Sequence, residues 1–239
     1  MLHKTILAGL ATAALLAFGG TTQALSGEHR FLQEGFEDGI GSGIHSLCGG
    51  CRHNRYPVVS TEQAAEGTHS LRLEYARNRT EISSVRLPLN KPLHISWALF
   101  IPDGFSPRHR GTVAQVIGWQ EPCFGGGNYH LRLDNGHWGL NIRNLQVANG
   151  DRVLKKPVLR GAWTRFQIDA LLSTGNDGFF TLSISDANGT SEYRLLENTK
   201  TYIECPLGPY FKAGLYGDFE DGSYLYLDDL KVTVKDDDN

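Results

Sequence analysis

Residues 128–136 read NYHLRLDNG, and the alternation in this stretch decides the fold class. Tyr129, Leu131 and Leu133 fall on one side of an extended chain, and His130 and Arg132 fall on the other. Successive strand side chains point to opposite faces, so the first set reads as core-facing and the second as outward-facing. Asn135-Gly136 ends the run with a pair that favours the positive-φ turns joining antiparallel strands. The same signature recurs outward in both directions. Ser70–Tyr75 (SLRLEY) sets Leu71, Leu73 and Tyr75 against Arg72 and Glu74, and Phe180–Ile184 and Tyr224–Leu227 alternate likewise. Asp103-Gly104, Asn149-Gly150, Asn188-Gly189 and Asp221-Gly222 punctuate the runs. No window carries a sustained 3.6-residue apolar period with caps. The chain therefore reads as all-β, a sandwich or jelly roll of two antiparallel sheets.

Composition agrees with one globular unit. The 239 residues are 40% hydrophobic and 21% charged, with 23 basic and 26 acidic side chains, so the net charge is 23 − 26 = −3. Disorder and fibrous classes are excluded, and a weakly acidic chain lacks the basic excess of a nucleic-acid binder. Residues 1–24 read as a secretory leader. His3 and Lys4 precede an apolar run from Ile6 to Phe18, and Thr22-Gln23-Ala24 offers a small-x-small cleavage site. That run is short of the roughly 20 apolar residues of a membrane span. Residues 25–235 are expected to form one domain and 236–239 a solvated acidic tail, in a secreted or periplasmic monomer with no membrane or nucleic-acid partner. In an oxidising compartment Cys48, Cys51, Cys123 and Cys205 favour two disulfides, among three connectivities that sequence leaves open.

Tyr210–Tyr216 (YFKAGLY) carries a second message. Phe211, Ala213 and Leu215 face one way, and Tyr210, Lys212, Gly214 and Tyr216 share the other face. Two phenols and an ammonium then project from a sheet, with a side-chain-free gap at Gly214 that marks close approach by a ligand or by another backbone. An ordinary exposed strand face with a solubilising Lys is the competing reading.

This heptapeptide resembles the YFKAG(V/I)Y signature of jelly-roll alginate lyases. Arg79-Thr80-Glu81-Ile82 is similar to their R(T/S)EL motif, and Gln115-Val116-Ile117 stands at the place of their Q(I/V)H motif, in matching order. Heparin-lyase-I-like and glucuronan-lyase-like proteins share the layout, and the likeness covers most of the chain after residue 24. The resemblance implies a concanavalin A-like jelly roll and β-elimination in an anionic, uronate-containing polysaccharide, with no cofactor required.

Such a lyase must stabilise a dianionic enolate, remove a proton from carbon and return one to the leaving oxygen. Arg79 suits the carboxylate with its two-donor fork, and Gln115 adds an amide donor. Tyr216 matches the family's proton-carrying tyrosine; phenols ionise near pH 10, and cations such as Lys212 and Arg79 favour the phenolate. Glu81, two residues from Arg79 on the same face, is placed to hold the guanidinium. Where the family has His, this chain has Ile117. Tyr216 can then serve as both base and acid, another histidine can substitute, or the protein only binds glycans. His130 is the candidate substitute, on a polar face with Arg132, against the plainer reading of an exposed strand histidine. Lys212, Tyr210, Glu81, Arg132 and Trp119 complete the expected substrate contacts. Trp119 and Trp138 read equally as sugar-stacking or core rings. Asp38 with Asp228 or Asp229 is a candidate structural calcium site. A glycoside hydrolase ranks last, because no close carboxylate cluster is evident.

Overall fold

The computed structural model describes residues 28–47, 56–106, 108, 110–118, 126–143, 145, 150–203, 205 and 207–235. The expected leader at 1–24, Cys48, Cys51, Trp119, Cys123 and the expected tail at 236–239 lie outside the described residues. Fifteen strands follow one another: β1 (Glu28–Glu34), β2 (Ile44–Ser46), β3 (Val58–Ser60), β4 (Ser70–Glu74), β5 (Arg79–Arg86), β6 (Pro92–Ile101), β7 (Arg110–Gly118), β8 (Gly126–Asp134), β9 (His137–Arg143), β10 (Gly150–Pro157), β11 (Ala162–Leu171), β12 (Gly178–Asp186), β13 (Gly189–Thr199), β14 (Tyr210–Asp218) and β15 (Tyr224–Lys235). They build two antiparallel sheets. One has seven strands in the order β10-β9-β8-β7-β14-β5-β2. The other runs β13-β12-β11-β6-β15-β4-β3, with β1 also pairing β15. This is the expected all-β jelly-roll sandwich.

The opening stretch behaves as its alternation requires. Tyr129, Leu131 and Leu133 are buried in the shared core. Asn135 and Gly136 take φ of 50° and 78°, and Asp134 pairs with His137 across a two-residue hairpin. Positive φ at both central residues is the twist-matched turn that Asn-Gly supplies at low cost. The β12–β13 turn is built differently: Ala187 and Asn188 lie between the paired Asp186 and Gly189, and of these only Gly189 takes a positive φ, 100°.

Aromatic side chains join the sheets. Trp97 on β6 meets Phe211 on β14 with centroids 4.9 Å apart, Trp138 on β9 meets Phe166 on β11 edge-on at 4.8 Å, and Tyr129 on β8 stacks on Phe180 of β12 at 3.9 Å. Each pair draws one ring from either sheet, so burial and ring geometry fix how the sheets face each other. Trp138 is thus a core ring. The Tyr129 hydroxyl donates to the Thr201 carbonyl at 2.7 Å, so this buried phenol keeps a partner.

Candidate active site

The polar face of the seven-stranded sheet collects the chemistry because pairing register lines it up in rows. Lys212 on β14 stands opposite Gln115 on β7, Gln115 opposite His130 on β8, and His130 opposite Asn141 on β9. A second row runs from Arg79 on β5 through Tyr216 and Thr112 to Arg132. Arg79, Tyr216, Lys212, Gln115 and His130 line one cavity of about 270 Å³, and Tyr210, Ile117 and Arg143 complete its wall. Residues from five strands, β5, β7, β8, β9 and β14, converge there.

Glu81 organises this floor from below. It is 1% exposed; the Gln115 amide Nε2 donates to its Oε1, the Lys212 ammonium donates to its Oε2 at 3.1 Å, and an Arg79 guanidinium nitrogen lies 3.6 Å from the same oxygen. One buried carboxylate thus orients three donors that border the cavity. Lys212 is itself buried, so its charge depends on this partner. Arg79 also lies over the Tyr216 ring, 4.0 Å from its centroid, which holds a cation against the phenol. Farther along the same strand pair, Arg86 sits 5.5 Å from the Tyr210 ring centroid, and burial pushes the pKa of the Tyr210 phenol up, which keeps it protonated.

His130 is 5% exposed. Its Nδ1 faces the Thr112 hydroxyl at 3.5 Å, a long contact, and its buried Nε2 has no hydrogen-bond partner within the protein. Burial first, then the charges of Arg143, Arg132 and Lys212, lower its ionisation to about 4. A neutral imidazole with an unspent nitrogen therefore stands beside the amide and the cations. This is not the exposed strand histidine that alternation alone allows.

The gap at Gly214 has a backbone cause. Gly214 adopts φ 141°, and a side chain there would collide with the Thr80 carbonyl and Glu81 Cα of the neighbouring strand. The register of β14 against β7 slips between Ala213 and Tyr216. Glycine is required for that close approach, and no ligand space exists at this point.

The remaining expected residues distribute as follows. Arg132 pairs with Asp151 at 2.9 Å, to the side of the cavity. Arg143 went unnoticed in the sequence, although the alternation of β9 (HWGLNIR) puts it on the face of Asn141. The acids weighed for calcium are used otherwise. Asp228 is fully buried and accepts the Ala65 and Glu66 amides at 2.7 and 3.1 Å and the Asp229 amide at 2.6 Å. Asp229 pairs with Arg165 and Lys231, each at 2.6 Å, while Asp38 is exposed. Among the described residues no cluster of three or more His, Cys, Asp or Glu side chains is placed to hold a metal. Cys205 is buried, and the Leu207 amide donates to its sulfur at 3.2 Å.

The described residues thus form a two-sheet jelly roll with a cation-lined cavity across one sheet. The chain belongs to the polysaccharide lyase family, whose model matches residues 32–231, and it is a polysaccharide lyase. No curated protein matches the chain by sequence. Solved structures share its fold at low identity. The endo-β-1,4-glucuronan lyase from the fungus Trichoderma reesei superposes with a TM-score of 0.65 at 17% identity, covering 85% of this chain and 95% of that one. The alginate lyase vAL-1 from Chlorella virus gives 0.54 at 14% identity, covering 74% and 88%. The marine PL-14 alginate lyase from Aplysia kurodai gives 0.52 at 12% identity, covering 74% and 86%.

Proposed function

We propose that this protein cleaves a uronate polymer by β-elimination in the cavity over Glu81, with Arg79 and Gln115 on the uronate carboxylate and Tyr216 moving the proton. The observation that carries this reading is the shared cavity of Arg79, Gln115, His130, Lys212 and Tyr216. In the reaction, Tyr216 as phenolate takes the hydrogen from the carbon bearing the carboxylate. The electron pair forms a double bond to the adjacent carbon, the bond from that carbon to the glycosidic oxygen breaks, and the phenol returns the proton to that oxygen. No water is consumed. As the carbanion forms, charge moves onto the carboxylate oxygens, and preorganised donors aimed there stabilise the transition state more than the ground state. Arg79 and Lys212 against Glu81 leave a local charge of 2 − 1 = +1, matched to one carboxylate. His130, neutral and bordering the same cavity, is the second proton acceptor available to the reaction.

Alginate and glucuronan, the substrates named for the structural neighbours, are the polymers to try first. The mass of the fragments tests the reaction type. Elimination yields pieces that sum to the parent, whereas hydrolysis adds one water per cut, and fragments heavier by water would refute the proposal. A non-catalytic glycan-binding role is the second reading, favoured by Ile117 in the cavity wall where the resemblance places a histidine; saturable binding with no fragments would support it. The leader-like residues 1–24 support export, and a mature protein in the periplasm or medium beginning at Leu25 is the expected result of N-terminal sequencing.

A further inference from the structure

We propose that Arg143 is a second carboxylate anchor, so that the cavity engages at least two uronates of one chain instead of a single uronate among neutral sugars. This rests on the uronate reading above and deepens it. Arg79 and Gly139 are joined by one row of register, Arg79–Tyr216–Thr112–Arg132–Gly139. Arg143 lies four residues beyond Gly139 on β9 and four strand positions from β5. At about 4.8 Å per strand and 3.4 Å per residue, the two backbone positions are on the order of 20 Å apart. Arg79 is held on the β5–β14 side by Glu81 and the Tyr216 ring, and Arg143 on β9 by Asn141, so the two guanidiniums border opposite sides of the cavity. They meet different residues of a glycan lying across the strands.

Arg143 is also held and charged for that task. Its Nε donates to the Asn141 Oδ1 at 2.5 Å, and the buried Asn141 in turn donates to Asp151 at 2.7 Å. The stem is thereby aimed while the two terminal nitrogens stay available for a bidentate contact. Around it, Arg132 is matched by Asp151, His130 is neutral, and Ile117 and Tyr210 carry no charge at neutral pH. Among the described residues no acid pairs with Arg143. Arg79 and Lys212 with Glu81 already balance one carboxylate, so the charge of Arg143 calls for another.

The test is equilibrium binding in a Tyr216→Phe background, which slows turnover, using a homotetrauronate and a tetrasaccharide carrying one uronate. Arg143→Gln is expected to weaken the homotetrauronate roughly 10-fold or more, the scale of a lost charge-assisted fork. The single-uronate ligand should change less than about 2-fold, with the unfolding midpoint unchanged because Arg143 is exposed. Equal losses for both ligands, or no loss for either, would overturn the second anchor while leaving the uronate reading intact. Failure of the background protein to bind either oligomer would overturn both.

Discussion

Glu81 and His130 show what single side chains contribute to this site. Removing the Glu81 carboxylate leaves Lys212 as a buried, unmatched ammonium, which costs about 3–5 kcal/mol in comparable cases. Glu81→Ala should therefore lower the denaturant midpoint strongly with the slope unchanged. Adding Lys212→Met to Glu81→Ala should recover much of that stability without recovering activity, since Gln115 and Arg79 stay unaligned. Full stability in Glu81→Ala alone would mean that the three donors do not depend on it.

His130 makes a pH prediction. Its folded ionisation lies near 4, below the ordinary 6.5, so between these values the unfolded chain binds more protons. Stability is then whole above about 6.5 and falls as pH drops toward 4, by an amount on the order of 3 kcal/mol that His130→Gln should remove. If neutral His130 serves the reaction, the acid limb of kcat/KM lies near 4. A limb near 6.5 would contradict a desolvated imidazole. Nothing in NYHLRLD reveals this environment, because alternation marks His130 as outward-facing and leaves unsaid that Lys212, Arg132 and Arg143 gather around it.

At the level of strands, β14 carries the clearest mixture of readable and unreadable features. The inward set Phe211, Ala213 and Leu215 and the outward set Tyr210, Lys212 and Tyr216 follow from period two. The register slip before Tyr216 does not, because a bulge is visible only against its partner strand. The Gly214 gap consequently admitted both ligand and backbone, and the structure assigns it to Thr80 and Glu81. Gly214→Ala should cost at least about 1–3 kcal/mol from backbone conformation alone, and loss of lyase activity should accompany it as Tyr216 shifts from Arg79. A Gly214→Ala protein of parental stability would show that β14 has room to relax. Arg143, by contrast, was legible in principle: the rule that reads His130 outward on β8 reads Asn141 and Arg143 together on β9. What sequence lacked was the pairing of β7 with β8 and with β14, which turns separate polar faces into one floor.

Across the whole molecule, the turn pairs and alternation suffice for a two-sheet sandwich, yet they do not say which rings meet. Trp97 with Phe211 and Trp138 with Phe166 bridge the sheets at about 5 Å. Trp97→Ala should destabilise by about 3–5 kcal/mol, with activity lost in parallel because Phe211 sits next to Lys212 on β14. The net charge of −3 hides a local field of opposite sign, since Arg79, Lys212 and Arg143 border a cavity floored by a single acid. The first acids considered for calcium were likewise undecidable from sequence, because only the fold reveals that Asp228 accepts backbone amides.

The proposed reaction is elimination driven from Tyr216 over the Arg79–Gln115 carboxylate site. Ultraviolet absorbance of polyuronate solutions incubated with the protein and with Tyr216→Phe tests it most directly, because only elimination creates a conjugated unsaturated uronate. A steady rise is expected with the parent protein on at least one polyuronate, at a rate about 10²-fold or more above that of Tyr216→Phe. An equal rise in both proteins, or cleavage of the polymer without any rise, would contradict it.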